Sequence, residues 1–168
     1  KIKYVITLDR DTILPIEEGK KLVGAIAHPL HQPIINTEKN VVVEGYGLIQ
    51  PRISLDIKSV NKTYLSRIFA GQGGIDPYTT AISDVYQDLF GEGIFTGKGI
   101  YHIDTFRKCL GDSLPTNSIL SHDLLEGSYL RTGLASDIQL IDGYPSNYNS
   151  YMARLHRWVR GDWQLIQW

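Results

Sequence analysis

The sequence has little cysteine, no excess of positive charge and no long apolar run, and each shortage excludes a class of protein. The single cysteine, Cys109, excludes an internal disulfide framework and a cysteine-rich zinc site, so we expect it to fill the core. With 17 basic and 18 acidic residues and no basic block, we expect no nucleic-acid partner. No stretch approaches the roughly 18 apolar residues that cross a bilayer, so we expect these residues to be soluble.

The length and composition predict one folded core. Hydrophobic residues make up 42% of the 168 residues, which suits a single α/β domain spanning residues 1–168. The first residue is Lys1, and a predicted strand begins almost at once. Because a buried strand needs neighbours on both edges, we expect the chain to be a piece of a longer one, with part of the sheet in the preceding sequence.

The most informative motif is an apolar run, residues 4–8, that ends in Asp9 and Asp11. Such a run favours a central, parallel strand buried on both faces, which delivers polar groups to the crevice beyond its carboxyl end. Two carboxylates placed there favour Mg²⁺ or Mn²⁺. The alternative is structural: Asp9 or Asp11, helped by Thr12, caps the helix that is predicted to start near Pro15.

Hydrophobic periodicity predicts the remaining elements. Pro51 falls inside a predicted strand and therefore indicates an edge position or a bulge. Asp104 is the predicted cap of a short helix. The predicted helices cover residues 15–27, 59–70, 79–90, 104–110 and 148–166, and the predicted strands cover residues 41–43, 47–55, 94–99 and 135–141.

The last predicted helix carries cations and aromatic residues together. Arg154, Arg157 and Trp158 stand at i, i+3 and i+4, so they share one helix face. That face can clamp a diphosphate beside a platform for a sugar ring. The alternative is an ordinary amphipathic helix with a buried tryptophan. Earlier in the chain, Gly97 and Gly99 allow a ligand or another backbone to come close to a strand.

In their order along the chain, these motifs resemble the inverting, processive family 2-type glycosyltransferases. The order is an Asp-x-Asp after a strand, a glycine-rich segment at 95–99, an acidic turn at 121–123 and a final Arg-x-x-Arg-Trp. More closely, the chain is similar over nearly its whole length to the glycosyltransferase region of cyclic β-1,2-glucan synthases, the family 84 glycosyltransferases. The segments that carry this resemblance are VVEGYGLIQPRIS, GGIDPYTTAISDVYQDLFGEG, GKGIYHID, ILSHDLLEG and HRWVRGDWQ.

This resemblance implies a fold and a reaction. The fold is GT-A-like, a Rossmann-like and mostly parallel sheet flanked by helices, represented here by the catalytic half without the N-terminal nucleotide-binding half. The donor is UDP-glucose, the cofactor is Mg²⁺ or Mn²⁺, and the growing β-1,2-glucan is the acceptor. The parent protein carries membrane helices and a phosphorylase-like region and works at the cytoplasmic face of the inner membrane. We expect the isolated piece to be inactive.

The resemblance also implies residue roles. Asp9 and Asp11 match the metal motif, with Asp11 as the better direct ligand, and Asp123 matches the general base. His122 stands where the family has glutamate. The Gln-x-x-Arg-Trp motif has arginine, Arg154, in place of glutamine here. In this motif Arg157 holds the diphosphate and Trp158 faces the acceptor sugar, and the remaining substrate-binding residues are Arg154, Gly97 and Gly99.

Two other functions fit parts of the sequence. Residues 6–12 match the apolar strand and Asp-x-Asp-x-Thr of haloacid dehalogenase-like phosphohydrolases, in which Asp9 is the nucleophile and Asp11 the general acid. A non-catalytic carbohydrate-binding module would instead depend on its aromatic side chains, namely Tyr46, Tyr78, Tyr144, Tyr148 and Trp163.

Overall fold

The computed structural model describes residues 1–70, 85–111, 113 and 119–167. Tyr78 and the first part of the helix predicted at 79–90 lie outside these ranges. The strands are β1 (Tyr4–Thr7), β2 (Ile34–Asn36), β3 (Val41–Glu44), β4 (Leu48–Leu55), β5 (Gly99–His102) and β6 (Thr132–Asp142). The α-helices are α1 (Glu18–Ala27), α2 (Ile57–Val60), α3 (Tyr64–Phe69), α4 (Val85–Phe90), α5 (Ile103–Leu110), α6 (Asp123–Leu130) and α7 (Tyr148–Gln164), and 3₁₀ turns cover Pro29–His31 and Leu165–Gln167.

Four strands form a mixed sheet in the order β1-β5-β4-β6, and β2 and β3 form a separate antiparallel pair. Strand β5 runs antiparallel to both β1 and β4, whereas β4 and β6 are parallel. The expected mostly parallel sheet is therefore wrong, and β1 is an edge strand of the described sheet rather than a central one. The cause is β5, which inserts between β1 and β4 in the opposite direction.

Alternating side chains build a core on each face of this sheet. Leu48 and Tyr101 point to one face, where they pack with Phe95 and with residues of α5 and α6. Ile49 and Ile100, the neighbours of those two along the strands, point to the other face and pack against α1. Cys109 is 2% exposed and belongs to the first core, which confirms its predicted role as core filler.

Several predicted helix boundaries change because side-chain hydrogen bonds set where the helices begin. Helix α5 is capped by His102, whose side chain accepts from the Thr105 amide, so the predicted cap at Asp104 is wrong. The helix predicted at 59–70 is two short helices, and the second has a capping box between Thr63 and Ser66. The bulge predicted from Pro51 is confirmed, since the β4–β6 register shifts directly after it.

None of the helices within the described ranges combines the length and the apolar character needed to span a membrane.

Candidate functional site

Polar side chains meet where three strands of the sheet end. Because β5 is antiparallel to both β1 and β4, strands β1, β4 and β6 run in one direction and end at one edge. Asp9 follows β1, Asp56 follows β4 and Asp142 ends β6. Strand β5 starts at the same edge, so Lys98 enters there as well. This edge is where open α/β sheets place their ligands.

A cleft of about 470 Å³ opens beside this edge. One wall is the turn Asp9, Arg10 and Asp11, and the other is helix α7. The α7 residues in the wall are Ser150, Ala153, Arg154 and Arg157. Two carboxylates of the predicted metal motif and two arginines of the predicted diphosphate clamp thus line one cleft, although more than 140 residues separate them in sequence.

Arg154 connects helix α7 to the acidic turn. Its Nη1 lies 4.0 Å from Oδ2 of Asp11 and 3.5 Å from the carbonyl oxygen of Gly143. Its guanidinium also covers the ring of Trp158, 4.9 Å from the centroid. The predicted common face of Arg154 and Trp158 is therefore confirmed. Trp158 is 37% exposed and does not line the cleft.

The structural alternative for the Asp-x-Asp motif, a helix cap, is wrong. Helix α1 begins at Glu18, and its N-cap residue is Glu17, which has a φ of 73° and makes no side-chain capping bond. Asp9 and Asp11 thus do not cap α1, and about half of each side chain is exposed to solvent. Asp11 and the second oxygen of Asp9 are therefore able to meet a ligand, while the other oxygen of Asp9 is bonded to Lys98.

Lys98 is a member of the site that the sequence prediction missed. Its Nζ lies 3.0 Å from Oδ2 of Asp9 and 3.1 Å from Oδ2 of Asp142, and only 5% of the residue is exposed. Burial works against the charge of Lys98, but the two carboxylates outweigh it and raise the pKa of the ammonium group. Lys98 is therefore a charged group held between two strand ends.

Asp123, the predicted general base, is the first residue of helix α6, and its carboxylate lies against Gly97. A Cβ added to Gly97, whose φ is 91°, would stand 2.9 Å from Oδ2 of Asp123. The hydroxyl of Ser121 donates to the same oxygen at 3.0 Å. Burial is the main cause that raises the pKa of Asp123, and the negative charge of Asp9 adds to it.

His122 and Glu126 support this segment. Nδ1 of His122 lies 2.6 Å from Oε1 of Glu126, and this hydrogen bond raises the pKa of the imidazole. The hydroxyl of Tyr101 donates to the other oxygen of Glu126. His122, Asp123 and Glu126 hold ligand atoms within 4.8 Å of one another, but Glu126 is already bonded on both oxygens. We therefore interpret this group as the support of Asp123.

The two glycines of the predicted substrate segment have different neighbours. Gly97 lets Asp123 approach the backbone, as described above. Gly99 lies in the sheet, where an added Cβ would stand 2.2 Å from the carbonyl oxygen of Ile49. Close approach of two strands is therefore sufficient to require Gly99. A role in binding substrate stays a prediction for both residues.

The acidic turn fits a divalent cation of the Mg²⁺ type. Such ions are usually held by one or two carboxylates together with substrate phosphates and water. Asp9 and Asp11 supply two carboxylates at the cleft, and Gly143 has no side chain to cover Asp11: a Cβ there would stand 3.3 Å from its Oδ2. One oxygen of Asp9 is bonded to Lys98, which leaves Asp11 as the freer ligand.

Two signals in the sequence point to the residues that were missed. Lys98 stands between Gly97 and Gly99, and these glycines draw attention to its backbone but not to its side chain. Asp142 directly follows the apolar pair Leu140 and Ile141 at the end of its strand, as Asp9 follows the apolar run at 4–8. A search for every acidic residue at a strand end would have found Asp142.

Together, the fold and the site define an α/β domain with an acidic and arginine-lined cleft at the carboxyl edge of its sheet. Over 166 residues, the chain is 48% identical to cyclic β-(1,2)-glucan synthase NdvB of Rhizobium meliloti (strain 1021), a match that covers 98% of this chain. The resemblance to a region of cyclic β-1,2-glucan synthases is thus confirmed. The chain spans about 6% of the length of that curated relative. No family model matches it.

Proposed function

We propose that the chain is part of an inverting glycosyltransferase that transfers glucose from UDP-glucose to a growing β-1,2-glucan. The observation that carries this proposal is the cleft in which the Asp9–Asp11 turn faces Arg154 and Arg157. Carboxylates with arginines suit a metal-bound diphosphate, because the arginines bind phosphate oxygens directly. The similarity to a glucan synthase over nearly the whole chain supports a sugar donor over the phosphate ester of a phosphohydrolase.

In this proposal, one wall of the cleft binds the cation and the other binds the diphosphate. Asp11, and Asp9 through its second oxygen, hold Mg²⁺ or Mn²⁺, while Arg154 and Arg157 hold the diphosphate from the side of α7. The chemistry that the bound cation supplies is neutralisation of the charge that grows on the leaving diphosphate. Trp158 is the proposed platform for the acceptor sugar, reached from the exposed part of its ring.

Asp123 acts as the general base. Inversion is a single displacement: the acceptor hydroxyl loses its proton to the Asp123 carboxylate, its oxygen bonds to the anomeric carbon, and UDP leaves with the electron pair of the broken bond. One carboxylate suffices for this step. General-base assistance contributes about 10² to 10⁴ in rate, so its loss nearly silences the enzyme.

The proposal extends to a longer parent protein. We propose that the parent supplies a uridine-binding half before these residues, together with membrane helices and a phosphorylase-like region, and that it works at the cytoplasmic face of the inner membrane. The support is the match itself, which lies within a relative of which this chain spans about 6%.

The deciding experiment is Asp123→Asn in the full-length parent. The amide keeps the shape of the side chain but accepts no proton, so glucan synthesis from UDP-glucose should fall by about 10² to 10⁴. Binding of UDP should stay within twofold, because Asp123 does not line the cleft. Asp88→Asn is the matched control, since Asp88 is exposed on α4. Unchanged turnover in Asp123→Asn would remove this residue from the mechanism.

A further inference from the structure

Lys98 is an unusual residue to find inside this domain. It is 5% exposed, and the other buried polar or charged residues in the part of the chain that the structure describes are neutral or acidic: Gln50, Ser66, Thr105, Glu126, Thr132 and Asp142. A buried ammonium group is unfavourable unless anions compensate it. Its presence therefore requires a specific arrangement of anions, and the structure supplies two.

These anions belong to a closed ring of ion pairs and hydrogen bonds around the turn from Asp9 to Thr12. Nζ of Lys98 joins Asp9 to Asp142, at 3.0 and 3.1 Å. The second oxygen of Asp142 accepts from the hydroxyl of Thr12 at 2.5 Å, and the Thr12 amide donates to the Asp9 carbonyl at 3.1 Å. The turn from Asp9 to Thr12 is thus attached at both of its ends to the last residue of β6. Asp11 lies between these two attachments and faces the cleft.

From this geometry we infer that Lys98 is the positioning residue of the cleft: it holds Asp9 against Asp142, and its charge sets how strongly the Asp9–Asp11 turn attracts a divalent cation. The inference rests on the proposed function, because it concerns the cation and the diphosphate of the same cleft. Lys98 itself does not line the cleft, so it acts through Asp9.

The two parts of this role have opposite consequences when the ammonium group is removed. Lys98→Met leaves Asp9 and Asp142 without their shared positive charge, so the turn attracts a divalent cation more strongly. The same change releases Asp9 from β6, so the cation and diphosphate are held less precisely and turnover falls. A merely structural lysine would instead lower stability and weaken metal binding and turnover together.

The test uses the full-length parent protein and Mn²⁺ alone as the probe. Mn²⁺ affinity is measured by titration, with the electron paramagnetic resonance signal of the free ion as readout, and turnover is measured at saturating Mn²⁺. For Lys98→Met we expect at least threefold tighter Mn²⁺ binding and at least tenfold lower turnover. For Lys98→Arg, which keeps the charge, we expect Mn²⁺ affinity within twofold of that of the unsubstituted full-length protein. Unchanged or weaker Mn²⁺ binding in Lys98→Met overturns the inference.

A double variant separates charge from position and protects the test against misfolding. Lys98→Met with Asp142→Asn removes one charge of each sign, so Mn²⁺ affinity should return to within twofold of the parent while turnover stays at least tenfold low. Turnover equal to the parent in this double variant overturns the inference. Lys20→Met is the matched control, since Lys20 is exposed and, within the described residues, pairs with Glu17 on the surface of α1, at 2.9 Å.

Asp11→Asn distinguishes failure of this inference from failure of the proposed function. If Asp11→Asn leaves both Mn²⁺ binding and glucan synthesis unchanged, the proposed cation site is wrong. If Asp11→Asn removes them and Lys98→Met does not tighten Mn²⁺ binding, the site stands and only the role of Lys98 is wrong.

Discussion

At the scale of single residues, the proposed base is tuned by neighbours that act in opposite directions. Burial raises the pKa of Asp123 above its ordinary value, and the charges of Glu126 and Asp9 raise it further. The hydrogen bond from the Ser121 hydroxyl, at 3.0 Å, lowers it. A general base works only when it is ionised, so the balance of these effects sets the lowest pH at which the proposed transfer proceeds.

Ser121→Ala should therefore move the acid limb of the pH profile to higher pH. The variant loses a hydrogen bond that favours the ionised carboxylate, so the pKa of Asp123 rises and protonation begins at higher pH. At pH values well above that pKa, turnover should match the parent. The measurement is kcat for glucan synthesis against pH in the full-length protein.

Ser128→Ala is the control for this profile. Ser128 lies on α6, the helix that begins at Asp123, but its hydroxyl donates to the Leu124 carbonyl, at 2.9 Å, and does not contact Asp123. Its acid limb should coincide with that of the parent. An acid limb in Ser121→Ala that stays in place or moves to lower pH contradicts the assigned hydrogen bond.

At the scale of elements, the sequence predicts individual strands and helices, but it does not predict which strands pair with one another. The apolar run at 4–8 correctly predicts a strand, and cation spacing correctly predicts that Arg154 and Arg157 share a helix face. The run does not say which strands lie beside it, and among the described strands β1 lies at the edge, next to the antiparallel β5. The contact of Lys98 with Asp9 and Asp142 depends on that pairing, and side-chain periodicity carries no information about it.

Helix α7 offers a direct test of the diphosphate clamp. Arg157 lines the cleft, whereas Arg160, one turn further, is exposed and lies outside it. Alanine is a good helix former, so neither substitution should disturb α7. A hydrogen bond to a charged group contributes about 1.5 to 3 kcal/mol, so Arg157→Ala should raise KM for UDP-glucose about 10- to 100-fold.

The kinetic comparison is made in the full-length protein. Arg160→Ala should leave KM for UDP-glucose within twofold, which separates a specific contact from the general positive charge of α7. Equal effects of Arg157→Ala and Arg160→Ala would show that the helix acts only through its overall charge, and the clamp would then be wrong.

At the scale of the whole molecule, the cleft has side chains suited to only part of the proposed nucleotide sugar. Its walls are charged or small: Asp9, Arg10, Asp11, Ser150, Ala153, Arg154 and Arg157. Among the described residues, no aromatic or large apolar side chain lines it, so the cleft offers a uracil ring no aromatic or apolar platform. The net charge of −1 gives no general attraction for an anion either. In the proposed function, the described cleft thus binds the phosphate groups and the cation, and the base is bound elsewhere in the parent.

Residues 1–168 alone should bind UDP weakly, with a Kd above about 1 mM, equivalent to less than about 4 kcal/mol of binding free energy. Because only the diphosphate is recognised, inorganic pyrophosphate should bind within threefold of UDP when Mn²⁺ is present. Isothermal titration of both ligands into the 168-residue chain, after circular dichroism has shown that it is folded, measures the two constants. The full-length parent should bind UDP far more tightly than pyrophosphate, since it adds the proposed uridine-binding half. Micromolar UDP affinity in the 168-residue chain would show that the base is recognised within it, and the proposed division of the donor site between two halves would be wrong.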